Sequence, residues 1–296
     1  MKKSTVISFL VLANIFWAGN YIFGKYVVAE MTPIQMTFSR WLIAVVFLFP
    51  IAHLIEHPNW KEVWARWKIL LAMAVTGVMT YNYLLYEALR YTSSLNASLV
   101  NSVNPVLIAL CSALILKEKI PFKNKIGLCI SLCGVLLVLT KGQLLQIFRI
   151  EYNTGDLLMI LAILVWTLYS ILGKKIQSIP PISATAVSVL IGLIVMIPFV
   201  LNAGIQIPQS AQAIIGIIYM GLFPSVGAFI FWNIGIRQIG PGRAGIFMYL
   251  ITVFTAIIGL VLGQPITFIQ IAGGILVFIG VYMSSSKPKS VHDARQ

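Results

Sequence analysis

The polar side chains of this sequence stand at helical spacing inside long apolar stretches. Asn14, Trp17, Tyr21 and Gly24 share one helical face, and Trp166, Tyr169, Ser170 and Gly173 repeat that arrangement later in the chain. Ser94, Ser98, Asn101 and Asn104 form a polar arc just ahead of Pro105. Tyr83, Tyr86, Glu87 and Arg90 follow one another along a third stretch, and Trp232 and Tyr249 add aromatic groups in two more. Amides, hydroxyls and aromatic rings hold small neutral or zwitterionic solutes through hydrogen bonds and stacking, whereas a polyanion would call for several buried Arg or Lys. The residues expected to touch such a substrate are Asn14, Trp17, Tyr21, Tyr83, Tyr86, Ser98, Asn101, Trp166, Tyr169, Trp232 and Tyr249.

Plainer roles compete for several of these residues. Trp17 and Trp166 stand near the middle of their stretches, away from the interface belt where membrane tryptophans collect. They either line a cavity or fill a tight helix contact. Pro105 frees a backbone carbonyl one turn back, as at many transporter midplane sites, but Ser98 and Asn101 would serve equally as glue between helices. Glu87 and Arg90 fit an interfacial pair three residues apart. Arg40 is the clear intramembrane charge, and left uncompensated it would cost about 2.5–3.5 kcal/mol or more. Backbone carbonyls, a substrate carboxylate or Glu30 could partner it, and a structural role is the first expectation.

The stretches that carry these residues are membrane spans. Of 296 residues, 59% are hydrophobic and 10% charged, and the mean hydropathy is +0.93. A soluble domain normally carries about 25% charged residues. Apolar runs fall near 5–26, 33–53, 67–89, 94–116, 123–140, 154–173, 181–201, 211–234, 242–263 and 267–284, which predicts an all-α integral membrane protein of about ten transmembrane helices. The first run is too long for the apolar core of a signal peptide, about 7–15 residues, and is expected to remain as a helix.

The net charge of +13 is spread through the short connections, where it carries topology and no phosphate-binding face, so nucleic acid is not an expected partner. With the N-terminus inside, the inner segments hold Lys2, Lys3, Lys61, Arg66, Lys68, Lys117, Lys119, Lys123, Lys125, Lys174, Lys175, Arg237, Arg243, Lys287, Lys289 and Arg295. The outer ones hold Lys25, Arg90, Lys141 and Arg149, a bias of 16 to 4 that places both termini in the cytoplasm.

An ordered series of residues recurs at offsets of 146 to 149: Trp17 with Trp166, Gly24-Lys25 with Gly173-Lys174, Pro33 with Pro181, Pro50 with Pro198, Arg90 with Arg237, Gly127 with Gly273 and Gly134 with Gly280. Two halves follow, residues 1–142 and 143–286, with a tail at 287–296. Five spans per half is an odd number, so the second half must be inverted relative to the first. Asn14-Ile-Phe-Trp17-Ala-Gly-Asn, Arg40, Ala88-Leu-Arg-Tyr-Thr-Ser, Asn104-Pro105, Lys117-Glu118-Lys119 and the Gly127 to Gly134 spacing resemble the EamA family of the drug/metabolite transporter superfamily. Ile251 and Gln264 depart from Pro105 and Glu118 of the first half. The resemblance implies movement of amino acids or other small metabolites, often outward, across a bacterial cytoplasmic membrane. Small relatives that export cationic compounds use a deep membrane Glu, which this chain lacks.

Several chemistries have no residues to carry them. No acid sits deep in a span, so a carboxylate proton relay has no residues to carry it; proton or other ion coupling is left unassigned, and a facilitator stands equal to an antiporter. No nucleotide-binding motif or catalytic triad occurs, so neither a cofactor nor an enzymatic activity is expected. Cys111, Cys129 and Cys133 lie in apolar runs, and His53, His57 and His292 form no ligand pattern, so no metal is expected. The lipid bilayer and a small-molecule substrate are the expected partners, with oligomeric state unassigned. A non-transporting scaffold or membrane enzyme is the contrasting reading.

Overall fold

A computed structural model describes residues 1–117, 122–140, 142–143, 153–204 and 206–285. Glu118, Lys119, Lys141, Arg149 and the tail at 287–296, with Lys287, Lys289, His292 and Arg295, lie outside the described residues. Within them, all regular structure is helical. The first half comprises α1 (Lys3–Val27), α2 (Pro33–Glu56), the short α3 (Trp60–Ala65), α4 (Trp67–Met73), α5 (Tyr81–Tyr91), α6 (Ser94–Asn101), α7 (Asn104–Ile115) and α8 (Phe122–Leu139). The second comprises α9 (Thr154–Lys175), α10 (Pro181–Ala203), α11 (Ala211–Leu222), α12 (Phe229–Ile239), α13 (Pro241–Gly245), α14 (Tyr249–Val261) and α15 (Phe268–Ser285).

Local signals set the helix starts. Thr32 and Gln35 form a capping box ahead of Pro33, whose fixed φ and missing N–H suit the first turn. Ser93, Asn153 and Ser210 accept from the backbone N–H groups of Asn96, Gly155 and Ala213 at the heads of α6, α9 and α11. Gly240, at φ 84°, turns the chain from α12 into α13 in a conformation that favours glycine.

Among the described residues, eight helices are long and apolar enough to cross a membrane by length and composition: 4–27, 33–56, 67–91, 94–115, 154–175, 181–203, 211–239 and 241–261. The sequence predicted ten spans. The other two apolar runs form α8 and α15, each 18 residues, or about 27 Å at 1.5 Å per residue against a hydrocarbon core of about 30 Å. They lie against each other, with Ser131 Oγ donating to the Val277 carbonyl at 3.3 Å. A Cβ on Gly134 would sit 2.6 Å from the Gly273 carbonyl oxygen. The backbones touch because neither helix carries a side chain there.

Hydrogen bonds show which helix ends meet. At one end, Lys25 Nζ caps α5 through the Leu89 and Thr92 carbonyls at 2.6 and 3.0 Å. Gln35 reaches the Gly204 carbonyl beyond α10. Glu30 accepts from the Gln209 and Ser210 N–H groups ahead of α11 at 2.6 and 3.1 Å. Ser210 and those amides hold the Glu30 carboxyl below its ordinary range. At the other end, Lys174 Nζ caps α12 through the Arg237 carbonyl at 3.1 Å. There Glu56 accepts from Ile182 N, Ser183 N and Ser183 Oγ at the head of α10, at 2.8, 2.7 and 2.6 Å.

The halves interleave. α1 lies against α11, α12 and α14, while α9 lies against α5, α6 and α7, so one hydrophobic core runs through both. Gly134→Ala should therefore cost about 1–3 kcal/mol, because the atom it meets is backbone and cannot rotate away. Gly274→Ala, whose Cβ meets nothing within 4 Å, should leave stability unchanged. Thermal unfolding of the two variants in detergent measures the difference.

Candidate functional site

Both halves interrupt their third long helix with a π-helical turn, at Ala74–Thr80 between α4 and α5 and at Phe223–Ala228 between α11 and α12. Such turns break the regular ladder, free carbonyls, and recur at functional sites. The Val78 carbonyl accepts from Trp41 Nε1 and from Asn82 Nδ2, both at 2.9 Å, and Gly77 O accepts from Asn82 at 2.9 Å. Gly77 has to be glycine, since a Cβ there would fall 2.2 Å from Cδ2 of the Tyr169 ring.

Against these turns lies a buried aromatic cluster drawn from both halves. Trp17 of α1 meets Trp166 of α9 at 5.3 Å between ring centroids and Trp232 of α12 at 5.6 Å. Trp166 also meets Tyr81 at 4.7 Å, Tyr169 at 5.0 Å and Phe229 at 5.4 Å. Most of these contacts are edge-on or tilted, the arrangements that ring quadrupoles favour. The indole N–H groups of Trp166 and Trp232, Oδ1 of Asn14 and Nδ2 of Asn101 are buried with no hydrogen-bond partner among the described residues. Buried polar groups are normally paired, and these lie on α1, α6, α9 and α12.

Beside the cluster, Arg40 is almost wholly buried. Its Nε donates to Ser225 Oγ at 2.7 Å, and NH1 donates to Asn20 Oδ1 at 3.1 Å, Asn82 Oδ1 at 2.8 Å and the Tyr86 hydroxyl. Tyr86 in turn donates to Asn20 at 2.9 Å. The guanidinium lies 5.1 Å from the Trp41 ring centroid and 5.8 Å from that of Tyr86. Glu30, one partner expected from the sequence, is instead spent on the head of α11. The second half builds a neutral version of this node. Asn233 Nδ2 donates to the Tyr169 hydroxyl at 2.7 Å and to Thr185 Oγ1 at 3.0 Å. Asn20 and Tyr86 thus correspond to Tyr169 and Asn233, the amide and phenol having exchanged helices.

The fourth long helix of each half is also broken, by Ser102–Val103 between α6 and α7 and by the 3-10 turn Ile246–Met248 between α13 and α14. Thr252 bridges the halves here, donating to the Ser98 carbonyl at 2.6 Å and meeting Ser102 Oγ at 2.8 Å. The Ser98 hydroxyl itself is spent on Leu95 O at 2.8 Å. Asn104 links Thr167 of α9 to Asn101, both at 3.4 Å.

Of the residues expected at the site, Trp17, Trp166, Tyr169 and Trp232 meet in one cluster. Tyr86 joins Arg40, and Asn14, Tyr21, Ser98, Asn101 and Tyr249 are buried. Tyr83 stands apart from them: it is 40% exposed. At 100° per residue it shares the outer face of α5 with Glu87 and Arg90, while Tyr86 lies about 60° further round. Arg90 NH1 bonds both Glu87 oxygens at 3.2 Å on that outer face. Phe229, Asn82 and Ser225 were missed. Asn82 stands four residues before Tyr86, which was a usable signal, whereas Ser225 gave none.

Cavities open toward both ends of the bundle. One of about 240 Å³ is lined by Lys25, Ser94, Thr255, Gln264 and Gln270 among others. Ser94 also bonds the Tyr21 carbonyl at 2.8 Å, one helical turn from Trp17. The other, about 390 Å³, lies beside Glu62, Arg66 and Ser178.

Many apolar helices around a shared polar and aromatic centre define a multi-pass membrane protein. The sequence profile of the EamA-like transporter family matches twice, over residues 4–140 and 153–286, and the chain belongs to that family. It is similar to the uncharacterized transporter YyaM of Bacillus subtilis, 30% identical over 291 residues that cover 96% of this chain and 95% of the relative. An uncharacterized transporter of Archaeoglobus fulgidus is 30% identical over 287 residues, covering 94% and 96%. A crystal structure covering 96% of this chain and 97% of its own superposes with a TM-score of 0.75 at 17% identity, which shows the fold alone. The chain is thus a membrane transporter of the EamA type.

Tyr86→Phe removes the hydroxyl between Arg40 and Asn20 and should cost about 1 kcal/mol in thermal stability. Tyr83→Phe, altered on the outer face, should unfold with the parent.

Proposed function

We propose that this protein is a secondary transporter or facilitator that moves small neutral or zwitterionic metabolites, amino acids among them, outward across the cell membrane by alternating access. The observation that carries this reading is the buried aromatic cluster assembled from α1, α9 and α12 against two equivalent π turns. A site made by both halves changes shape when the halves move.

In this reading α8 and α15 complete ten spans, the second half is inverted, and both termini are cytoplasmic. The end contacts support the inversion. Lys25 at the close of α1 and Lys174 at the close of α9 make the same cap at opposite ends of the bundle. The Lys and Arg bias supports the orientation. Glu30 and Glu56 act as latches, each joining the first half to a helix start in the second at its own end. The alternative, export of cationic drugs, is disfavoured by the buried positive charge of Arg40 beside the cluster.

Comparison of intracellular and extracellular metabolite pools in deletion and overexpression strains tests the proposal. Overexpression should raise the extracellular level of a restricted set of small polar solutes. Trp17→Ala and Asn101→Ala proteins at normal abundance should lose most of that effect. Unchanged pools, or full activity in both variants, would count against it.

A further inference from the structure

Among the described residues, Arg40 is held by neutral groups alone. Its hydrogen bonds among the described residues all go to the side chains of Ser225, Asn20, Asn82 and Tyr86, and NH2 is buried without a partner. Neither a backbone carbonyl nor Glu30 supplies what it lacks. A buried guanidinium strongly favours an opposite charge, because little water reaches it to screen or solvate it.

The charge is not what the local fold requires. In the second half the corresponding phenol–amide pair, Tyr169 and Asn233, is joined by Thr185, and Ser188 stands at the position equivalent to Arg40, with Asn233 Oδ1 and Ser188 Oγ buried and unpartnered among the described residues. A neutral node therefore closes the same junction. The Arg40 node adds a fixed cation whose Nε and NH1 are anchored and whose planar group lies beside the Trp41 and Tyr86 rings. One nitrogen is left, and Trp41 joins this node to the aromatic cluster by meeting Phe229 at 4.8 Å. Anchoring of this kind leaves a preorganised donor for a single carboxylate oxygen, with too few cations for a polyanion.

We infer that Arg40 is the binding group for the carboxylate of a monocarboxylate or zwitterionic substrate, taken on NH2 while the apolar part of the solute meets the aromatic cluster. This rests on the transport reading above and narrows its substrate class to solutes bearing one carboxylate.

Intrinsic tryptophan fluorescence of the purified full-length chain, titrated with phenylacetate and with the isosteric neutral phenylacetamide, tests it. Phenylacetate should saturate at concentrations about tenfold or more below phenylacetamide. Arg40→Gln should abolish that preference, and Arg40→Lys should retain it with weaker binding of phenylacetate. Should Arg40→Gln not fold, Arg40→Lys and chloride competition decide, with chloride expected to displace phenylacetate poorly. Equal affinity for acid and amide, no saturation by either, an unchanged preference in Arg40→Gln, or displacement by chloride at matching concentrations would overturn the inference. Export of solutes without carboxylates, unaffected by Arg40→Gln, would overturn it and leave the transport reading standing. A carboxylate preference in a protein that moves no solute would do the reverse.

Discussion

Inside a bilayer every polar group must be solvated by the protein itself, and Arg40 is where that constraint presses hardest on this chain. Meeting it draws together α1 through Asn20, α5 through Asn82 and Tyr86, and the π turn ahead of α12 through Ser225. These elements belong to both halves. The position of the aromatic cluster depends on them, since Asn82 also occupies the carbonyls freed by the first π turn and Ser225 is part of the second. The contacts of Arg40 thereby tie the two halves together at this junction.

A second layer of organisation comes from the termini of the helices. Helix ends leave backbone groups unsatisfied, and this chain meets them with side chains that cross from one element to another. Lys25 and Lys174 close the ends of α5 and α12, and Glu30 and Glu56 close the heads of α11 and α10. The glutamate contacts join the two halves where the lysine contacts stay within one. A motion of one half against the other would leave the lysine caps whole and would have to break a glutamate latch.

Much of this was legible in the sequence. Apolar run length and punctuation by Pro and Gly located the long helices within a few residues, because a bilayer leaves few alternatives to a helix. The repeat placed Trp17 and Trp166 in related positions, and they meet. Spacing along α5 did not separate Tyr83, which lies on the outer face where a membrane surface accepts Tyr, from the buried Tyr86. The partners of Arg40 were not legible. Ser225 lies 185 residues away, and its register depends on a π turn for which apolar periodicity carries no signal. Nor did the sequence show that α1 and α9 would each settle among helices of the opposite half.

The alternating-access proposal requires that the bundle open at one end at a time, with the Glu30 and Glu56 contacts alternately broken. Spin-label distances across the two ends, between Ala29 and Gln212 and between Ile55 and Gln177, measure this directly in lipid. The account predicts that a longer distance at one end accompanies the short distance at the other, with the balance shifted by a transported solute. A single short distance at both ends under every condition, or simultaneous lengthening at both, would contradict it.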